Sequence, residues 1–437
     1  MFNMGRLNKC IVALFFLFIV YLVALLIGPR QPDDTERKLC QVNVYLKKPF
    51  GITMDCDAPD FLKGANDLRE LLHPRAVRQS RPGLIFLAKF VSDIVRPLTN
   101  ILMEHMNPTS PIRGSLKFEK TAIADMPAPF LSYAILNFLF LCAAFMLAKQ
   151  VVTDRQIAFS AACALLMLAF NDLIKVYFYS PHTQIFNIFL PVLLVWTVQK
   201  IRNDDFFKTF HMYSLMLCSG YGLICYGTFI LVPIVAVATE IFRRKFVNSN
   251  LTVTSEDIKR VIIFAVLFSL PMLLWSAYVI SLNGKIFFYE AETCDQFTWI
   301  LAVYHEKGIL GIITRWLNNF YSVLRCGDRF IPVTLALLAV SFGFLKKKRL
   351  TINLQLRNLA VTCFLVAFLF TAFFSFQGIS VYRLSIVIFI PVWIWIAALN
   401  QYIEENLVNI GMYKKVFFSL VLVQCVYTVL NTHCCGG

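Results

Sequence analysis

The sequence has 437 residues, of which 58% are hydrophobic and 15% charged, with a formal net charge of +15. A mean hydropathy of +0.66 excludes an ordinary soluble protein and indicates an integral membrane protein. The excess positive charge does not indicate a nucleic-acid-binding protein, because it is spread over short loops between apolar segments.

Eleven apolar segments approach the roughly 20 residues that a membrane-spanning helix needs. They predict an all-α fold: a polytopic bundle of about 11 transmembrane helices, forming a single membrane domain over 1–437. The predicted spans are 11–27, 130–148, 156–171, 184–199, 209–222, 223–241, 261–281, 330–345, 358–376, 382–399 and 416–431. The first is longer than the apolar core of a signal peptide and lacks a small-x-small cleavage site, so we expect it to be retained.

Lysine and arginine predict the orientation of the bundle. With a cytoplasmic N-terminus, the short outer loops contain only Lys175 and the boundary residue Arg383. The inner loops and segment ends collect the other basic residues near the spans: Arg6, Lys9, Lys149, Arg155, Lys200, Arg202, Lys208, Arg243, Arg244, Lys245, Lys259, Arg260, Lys346, Lys347, Lys348, Arg349, Arg357, Lys414 and Lys415. This asymmetry is what the positive-inside rule requires.

Two long loops then face outward. The first, 28–128, holds 12 of the 26 acidic residues, and the second, 282–328, is rich in aromatic residues that are typical of membrane interfaces but are also able to stack on sugars. Long loops of membrane enzymes often carry function. Six cysteines fall on the outer side, and the sequence does not determine their pairing: Cys40, Cys56, Cys294, Cys326, Cys434 and Cys435.

The first outer loop contains two predicted helices. Apolar residues at helical spacing predict a helix over 58–72, with Asp57 before it and Pro59 in its first turn as start signals. A second apolar stretch, 83–96, ends at Pro97 and is too short and too charged to span the membrane. It predicts an interfacial helix on the outer surface.

Asp57 is the first candidate for chemistry. An aspartate before a helix typically accepts hydrogen bonds from the first-turn amides, so a capping role alone explains it. A carboxylate aimed in this way is also able to act as a general base toward an acceptor hydroxyl or amine. Asp55 and Asp60 are close enough in sequence to support it or to share a metal ion, but no motif favours a metal, and we expect no cofactor.

Several segments resemble the GT-C membrane glycosyltransferases, a class that includes protein O-mannosyltransferases and lipid A aminoarabinose transferases. The stretch from Cys56 to Leu68 resembles the Asp-small-x-x-aromatic-Leu pattern that opens the first outer loop of that class. Arg81-Pro82-Gly83-Leu84 resembles its Arg-Pro-Pro-Leu segment, with Gly83 replacing the second proline. The 219–235 stretch resembles its glycine-rich helix pair, and Tyr382-Arg383 followed by Pro391 resembles its late helix, with Arg and Tyr exchanged.

The resemblance implies roles for individual residues. Asp57 would deprotonate the acceptor, and Arg383, at the outer start of the tenth span, would hold the donor phosphate beside Tyr382. Arg81 is a second phosphate-binding candidate. An arginine at the position of Arg383 is equally typical of a side chain that only snorkels to the interface.

Ser180-Pro181-His182-Thr183-Gln184 opens the fourth span on the outer side. His182 is placed to assist proton transfer near neutral pH. Gln184 stands where the GT-C pattern often has an acidic residue, and its amide either binds a sugar or caps the helix.

The resemblance therefore implies an inverting glycosyltransferase that moves a sugar from a polyprenyl-phosphate donor to an extracytoplasmic lipid, glycan or protein acceptor. Its partners would be the donor lipid and the bilayer, with no nucleic acid, and we expect a bacterial inner membrane. A polysaccharide polymerase or ligase, or a lipid-linked oligosaccharide flippase or transporter, is the alternative. Few charged residues lie in the middle of the spans, which disfavours an ion-coupled transporter.

Overall fold

The computed structural model describes residues 9–27, 41–47, 50–55, 57–106, 126–203, 206–246, 254–292, 296–325, 327–378, 382–407 and 410–430. Within these ranges the regular secondary structure is helical, α or 3-10, apart from one two-stranded hairpin. The elements are α1 (Lys9–Ala24), β1 (Gln41–Lys47), β2 (Phe50–Asp55), α2 (Ala58–Asn66), α3 (Gly83–Met106), α4 (Pro127–Val152), α5 (Phe159–Leu165), α6 (Asp172–Tyr177), α7 (Phe186–Asn203), α8 (Phe210–Leu223), α9 (Leu231–Phe246), α10 (Ser255–Asn283), α11 (Tyr289–Glu292), α12 (Trp299–Arg325), α13 (Ile331–Lys347), α14 (Leu354–Gln377), α15 (Tyr382–Asn406) and α16 (Gly411–Leu430).

Six helical segments of the described chain are long and apolar enough to cross a membrane: α4, Thr183–Asn203, α10, α14, Leu384–Asn406 and α16. They make this a multi-pass membrane protein. The span predicted at 156–171 is broken instead of continuous. There α5 passes into a 3-10 turn, and α6 starts afresh because Asn171 Oδ1 accepts a hydrogen bond from Ile174 N at 3.1 Å.

The helices pack so that the predicted inner loops meet at one end of the bundle. Helix α14 lies along α15, α8 packs against α10, and α4 contacts both α3 and α7. At the basic end, Trp196 Nε1 donates to Gln150 Oε1 at 2.8 Å. Arg202 donates to Thr362 Oγ1 at 3.2 Å. Asp57 lies at the opposite end, in the segment that follows the hairpin.

The hairpin in the first outer loop was not predicted, and it is a small addition to a fold that is otherwise all-α. Strands β1 and β2 pair antiparallel, with Gln41 opposite Asp55. Gly51 N donates to Leu26 O at 2.6 Å, so the hairpin is attached to the outer end of α1. Strand β2 ends at Asp55, so the attached hairpin fixes where the chain begins its approach to Asp57.

The prediction of one continuous helix over 58–72 is wrong. Helix α2 ends at Asn66, because Asp67 adopts an extended conformation and its side chain accepts a hydrogen bond from Arg69 N at 3.0 Å. A 3-10 turn over Leu68–Leu72 follows. The competing local hydrogen bond of an aspartate is a common reason for such a break.

Helix α3 is longer than predicted, since it runs through Pro97 to Met106. Pro97 is exposed and has no N–H, so one carbonyl of the preceding turn has no main-chain partner. On the exposed side of a helix, such a carbonyl is able to bind water or a lipid headgroup. Large apolar side chains form an exposed stripe along one face: Phe90, Ile94, Leu98 and Ile101. The stripe has the form expected of a helix lying along the bilayer surface.

The second outer loop contains a long helix that was not predicted. Helix α12 is kinked at Gly308, where φ is +64°. The carbonyls of the last three residues of α14 accept hydrogen bonds from Asn319 Nδ2, Trp299 Nε1 and Phe297 N at 3.1, 2.9 and 3.4 Å. The end of a helix otherwise leaves such carbonyls without main-chain partners, so α12 and Phe297 just before it cap α14.

Candidate functional site at the outer end of the bundle

Asp57 does not use its side chain to cap α2, which corrects the capping interpretation. Its backbone is helical (φ −77°, ψ −20°), and its side chain makes no capping hydrogen bond. The backbone carbonyl accepts from Asp60 N at 3.1 Å and from Phe61 N at 3.4 Å. The carboxylate is directed instead toward two side chains from later segments, Arg78 and His182.

Arg78 forms an ion pair and a hydrogen bond with Asp57 Oδ2. Its side chain is 9% exposed, whereas that of Asp57 is 31% exposed. The guanidinium also lies over the Phe61 ring, 4.6 Å from the centroid. A carboxylate and an aromatic face both stabilise a cation that has lost most of its water.

His182 approaches the same carboxylate oxygen. Its Nε2 lies 3.5 Å from Asp57 Oδ2, and its side chain is 4% exposed. The imidazole ring is held between Phe61 and Tyr177, with ring centroids 5.6 and 5.1 Å away. The structure therefore brings together two candidates that were predicted separately, Asp57 and His182, although they are far apart in sequence.

The position of Asp57 is fixed by the buried face of α2. Phe61, Leu62 and Ala65 are fully buried against the neighbouring helices. The Tyr133 hydroxyl of α4 donates to Phe61 O at 3.0 Å. Because Phe61 contacts both Arg78 and His182, the same residue that anchors α2 also places the two partners of the carboxylate.

Gly83 has a specific role in the turn after Arg81. Gly83 N donates to Ile224 O at 2.8 Å, and the Tyr221 hydroxyl donates to Gly83 O at 2.7 Å. A Cβ at Gly83 would lie 2.6 Å from Cys225 Sγ. Proline at this position would have no N–H and would lose the first bond.

The other predicted site residues are less concentrated. Gln184 is buried, and its Oε1 accepts from Asn187 Nδ2, whose Oδ1 in turn accepts from the Tyr226 hydroxyl at 2.7 Å. Of the two roles expected for Gln184, the helix cap is therefore wrong, because its amide oxygen bonds to Asn187 instead. Arg81 is half-buried beside Gly227, where a Cβ would stand 3.4 Å from its guanidinium.

Three predicted residues are described only in part. Tyr382 and Arg383 begin α15, but their side chains lie outside the described part of the structure, as does that of Asp55. Asp60 is half-buried in the first turn of α2.

The six outer cysteines all fall outside the described residues. Within the described ranges, no group of three or more His, Cys, Asp or Glu residues is placed to hold a metal ion.

Arg78 is the residue of the candidate site that the sequence did not identify. Four arginines lie between residues 69 and 81, and no periodicity distinguishes them. Only the packing of the turn against Phe61 selects Arg78 as the partner of Asp57.

Gln79, the neighbour of Arg78, connects the two outer segments. Its Nε2 donates to Leu71 O at 3.1 Å and to His73 O at 3.2 Å, and its Oε1 accepts from Phe287 N at 2.8 Å. Trp275 Nε1 of α10 donates to the backbone carbonyl of Gln79 at 2.6 Å. Hydrogen bonds therefore hold the segment that carries Arg78 to residues 71 and 73 of the first outer loop and to Trp275 and Phe287.

We expect Gln79→Ala to destabilise the outer segment by roughly 1–3 kcal/mol, because three main-chain groups lose a buried partner. The melting temperature in detergent should fall, and trypsin should cut sooner at exposed Arg75. Asn406→Ala is the control, since its exposed amide only returns to Tyr402 O within its own helix. Equal melting and cleavage of the two variants would contradict this role.

No protein-family model matches the sequence, and no curated protein or solved structure matches it. The resemblance to GT-C glycosyltransferases is therefore carried by the short motifs alone.

Proposed function

We propose that this protein is an inverting membrane glycosyltransferase of the GT-C type, with about eleven spans and its active site on the extracytoplasmic face. It would take a sugar from a polyprenyl-phosphate donor and transfer it to a lipid, glycan or protein acceptor, in a bacterial inner membrane. The observation that carries the proposal is the accessibility of Asp57. Its carboxylate is 31% exposed, while its partners Arg78 and His182 are 9% and 4% exposed.

This arrangement suits a general base. Arg78 fixes the direction of the carboxylate, and its own burial keeps it from competing for substrate. Asp57 accepts the proton of the acceptor hydroxyl or amine as the acceptor atom attacks the anomeric carbon. His182 Nε2 stands 3.5 Å from the carboxylate, close enough to assist the proton transfer, and Asp57, which is 31% exposed, then releases the proton to solvent.

An apolar groove of about 430 Å³ supports a lipid-linked donor. It lies between α12, α14 and α15, and its lining includes Phe320, Ala360, Thr371, Ile388 and Trp395. From Ala360 to Thr371 it follows α14 for about 16 Å, at about 1.5 Å per residue. This length suits several isoprene units of a polyprenyl chain.

Arg383 is located suitably for the phosphate of such a donor. It begins α15, and Ile388 and Val392 of the same helix line the groove. In the reaction, the bond between the anomeric carbon and the phosphate oxygen breaks, and the electron pair leaves with the polyprenyl phosphate. A guanidinium at this end would stabilise that charge as it develops.

The groove gives a size test. Ala360→Phe should narrow it, so we expect a higher KM for long-chain donors and little change for a short-chain analogue. Ala339→Phe is the matched control, because Ala339 is exposed on α13 and does not line the groove. A change of equal size for both donor lengths would argue against the groove as the lipid site.

The direct test uses purified protein in lipid nanodiscs with polyprenyl-phosphate sugars as donors. Release of polyprenyl phosphate and the mass of the sugar-bearing product are measured by mass spectrometry, and the anomeric configuration by NMR. We expect inversion, and we expect Arg383→Lys to weaken donor use while the protein stays folded. Failure to consume any polyprenyl-phosphate donor, with folded protein, would overturn the proposal.

A further inference from the structure

A second cavity lies at the basic end of the bundle, opposite Asp57. Its volume is about 490 Å³, within the range of about 300–1,000 Å³ typical of small-molecule sites. It is formed where α4, α7 and α15 end and α14 begins. By the charge asymmetry of the loops, this is the cytoplasmic end of the protein.

The charged residues that line the cavity balance one another. Arg155 and Lys200 supply two positive charges, and Asp154 and Glu405 supply two negative ones. Glu405 is oriented by Gln401 Nε2, which donates to its carboxylate at 2.7 Å. A lining with no formal net charge favours a ligand that itself carries both signs over a multiply charged anion.

Helix N-termini and helix C-termini both border the cavity, and they carry electrostatic potentials of opposite sign. The N-terminus of α14 faces the cavity through Asn353 and Gln355, and a helix N-terminus favours an anionic group. The C-terminal turns of α4 and α15 also line it, and these favour a cation, whereas the last turn of α7 already contains Lys200. The side chains of Leu356 and Leu359 add an apolar wall.

We propose that this cavity binds a phosphoethanolamine group, with its phosphate toward Lys200 and the start of α14 and its ammonium toward Glu405 and the C-terminal turns of α4 and α15. Two sources carry this chemistry: the headgroup of phosphatidylethanolamine in the inner leaflet, and free phosphoethanolamine in the cytoplasm. Binding here is independent of the proposed sugar transfer, because no residue of the Asp57 site lines the cavity.

The test is native mass spectrometry of the full-length protein released from nanodiscs that contain equal amounts of phosphatidylethanolamine and phosphatidylglycerol. We expect retained phosphatidylethanolamine to exceed phosphatidylglycerol. Lys200→Gln and Glu405→Gln should each lower that retention about tenfold, the effect of losing one hydrogen bond to a charged group. Lys347→Gln, an exposed change at the same end of the bundle, should leave it unchanged.

Free phosphoethanolamine added at millimolar concentration distinguishes the sources. Displacement of the lipid supports a site for the soluble compound, and persistence of the lipid supports the headgroup. Lys200→Arg keeps the charge and should keep the preference, so the result can be interpreted even if Lys200→Gln fails to fold. Equal retention of the two lipids, or a preference unchanged in both Lys200→Gln and Glu405→Gln, would overturn the proposal.

Discussion

Asp57→Asn should abolish sugar transfer while the protein remains folded in the membrane. Asparagine has the shape of aspartate and is still able to accept a hydrogen bond from Arg78, but its amide is unable to take the proton of the acceptor. General-base catalysis contributes about 10²–10⁴-fold to a rate, so we expect a loss in this range. The measurement is the initial rate of polyprenyl phosphate release at equal protein abundance.

The control for this variant is Asp60→Asn, three residues away in the first turn of the same helix. Both substitutions convert a carboxylate into an amide of the same shape, and we expect Asp60→Asn to retain most of the activity. Rates as high as those of the unmodified protein in Asp57→Asn would remove Asp57 from the catalytic role. Equal losses in the two variants would show that negative charge at this turn, and not the base, is what matters.

Asp57→Asn should also lower the melting temperature, because it leaves the Arg78 guanidinium 9% exposed beside a neutral partner. Breaking a fully buried ion pair costs about 3–5 kcal/mol. The cost here should be smaller, since Asp57 is 31% exposed and water already reaches the pair. Arg78→Gln added to Asp57→Asn should recover part of the stability without restoring transfer, which separates folding from chemistry.

Six of the eleven predicted spans appear as long apolar helices, and they were predictable because apolar length is a local signal. Helix α12 was not, because Glu306, Lys307 and Arg315 interrupt its apolar residues and Gly308 kinks it. Its capping contacts with α14 join residues more than fifty positions apart, such as Asn319 and Ser375. No short sequence window contains both partners of such a contact.

The candidate site was also predictable only in part from the sequence. Asp57 was identified because it precedes a helix and matches a short motif. The competing interpretation, that its side chain caps the helix, is wrong, because the fold supplies Arg78 and His182 as partners of the carboxylate. A buried cation beside a carboxylate outweighs one exposed amide hydrogen bond, and only tertiary packing places that cation.

Gly220→Ala should be the most damaging single-methyl change in the bundle interior. A Cβ at Gly220 would lie 2.2 Å from the backbone oxygen of Phe268, 2.8 Å from its carbonyl carbon and 2.9 Å from its Cα. Backbone atoms are unable to rotate away, so α8 and α10 must separate. Overpacking typically costs about 1–3 kcal/mol and occasionally more, and we expect the upper part of that range. The measurement is thermal unfolding in detergent, followed by size-exclusion chromatography.

The matched control is Gly343→Ala in α13, where an added Cβ meets nothing within 4 Å. Alanine in a helix is favoured over glycine by about 0.5–1 kcal/mol, so this variant should melt at the same temperature or slightly higher. Similar melting of Gly220→Ala and Gly343→Ala would contradict the close contact of α8 with α10.

Gly220→Ala should also reduce activity beyond its effect on stability, because α8 and α10 both hold the segment that carries Arg78. The Tyr221 hydroxyl of α8 donates to Gly83 O at 2.7 Å, and Trp275 Nε1 of α10 donates to Gln79 O at 2.6 Å. Separation of the two helices pulls these anchors apart and moves Arg78 relative to Asp57. Transfer measured well below the melting temperature should therefore fall in Gly220→Ala and stay normal in Gly343→Ala, whereas a purely global destabilisation would leave the folded fraction fully active.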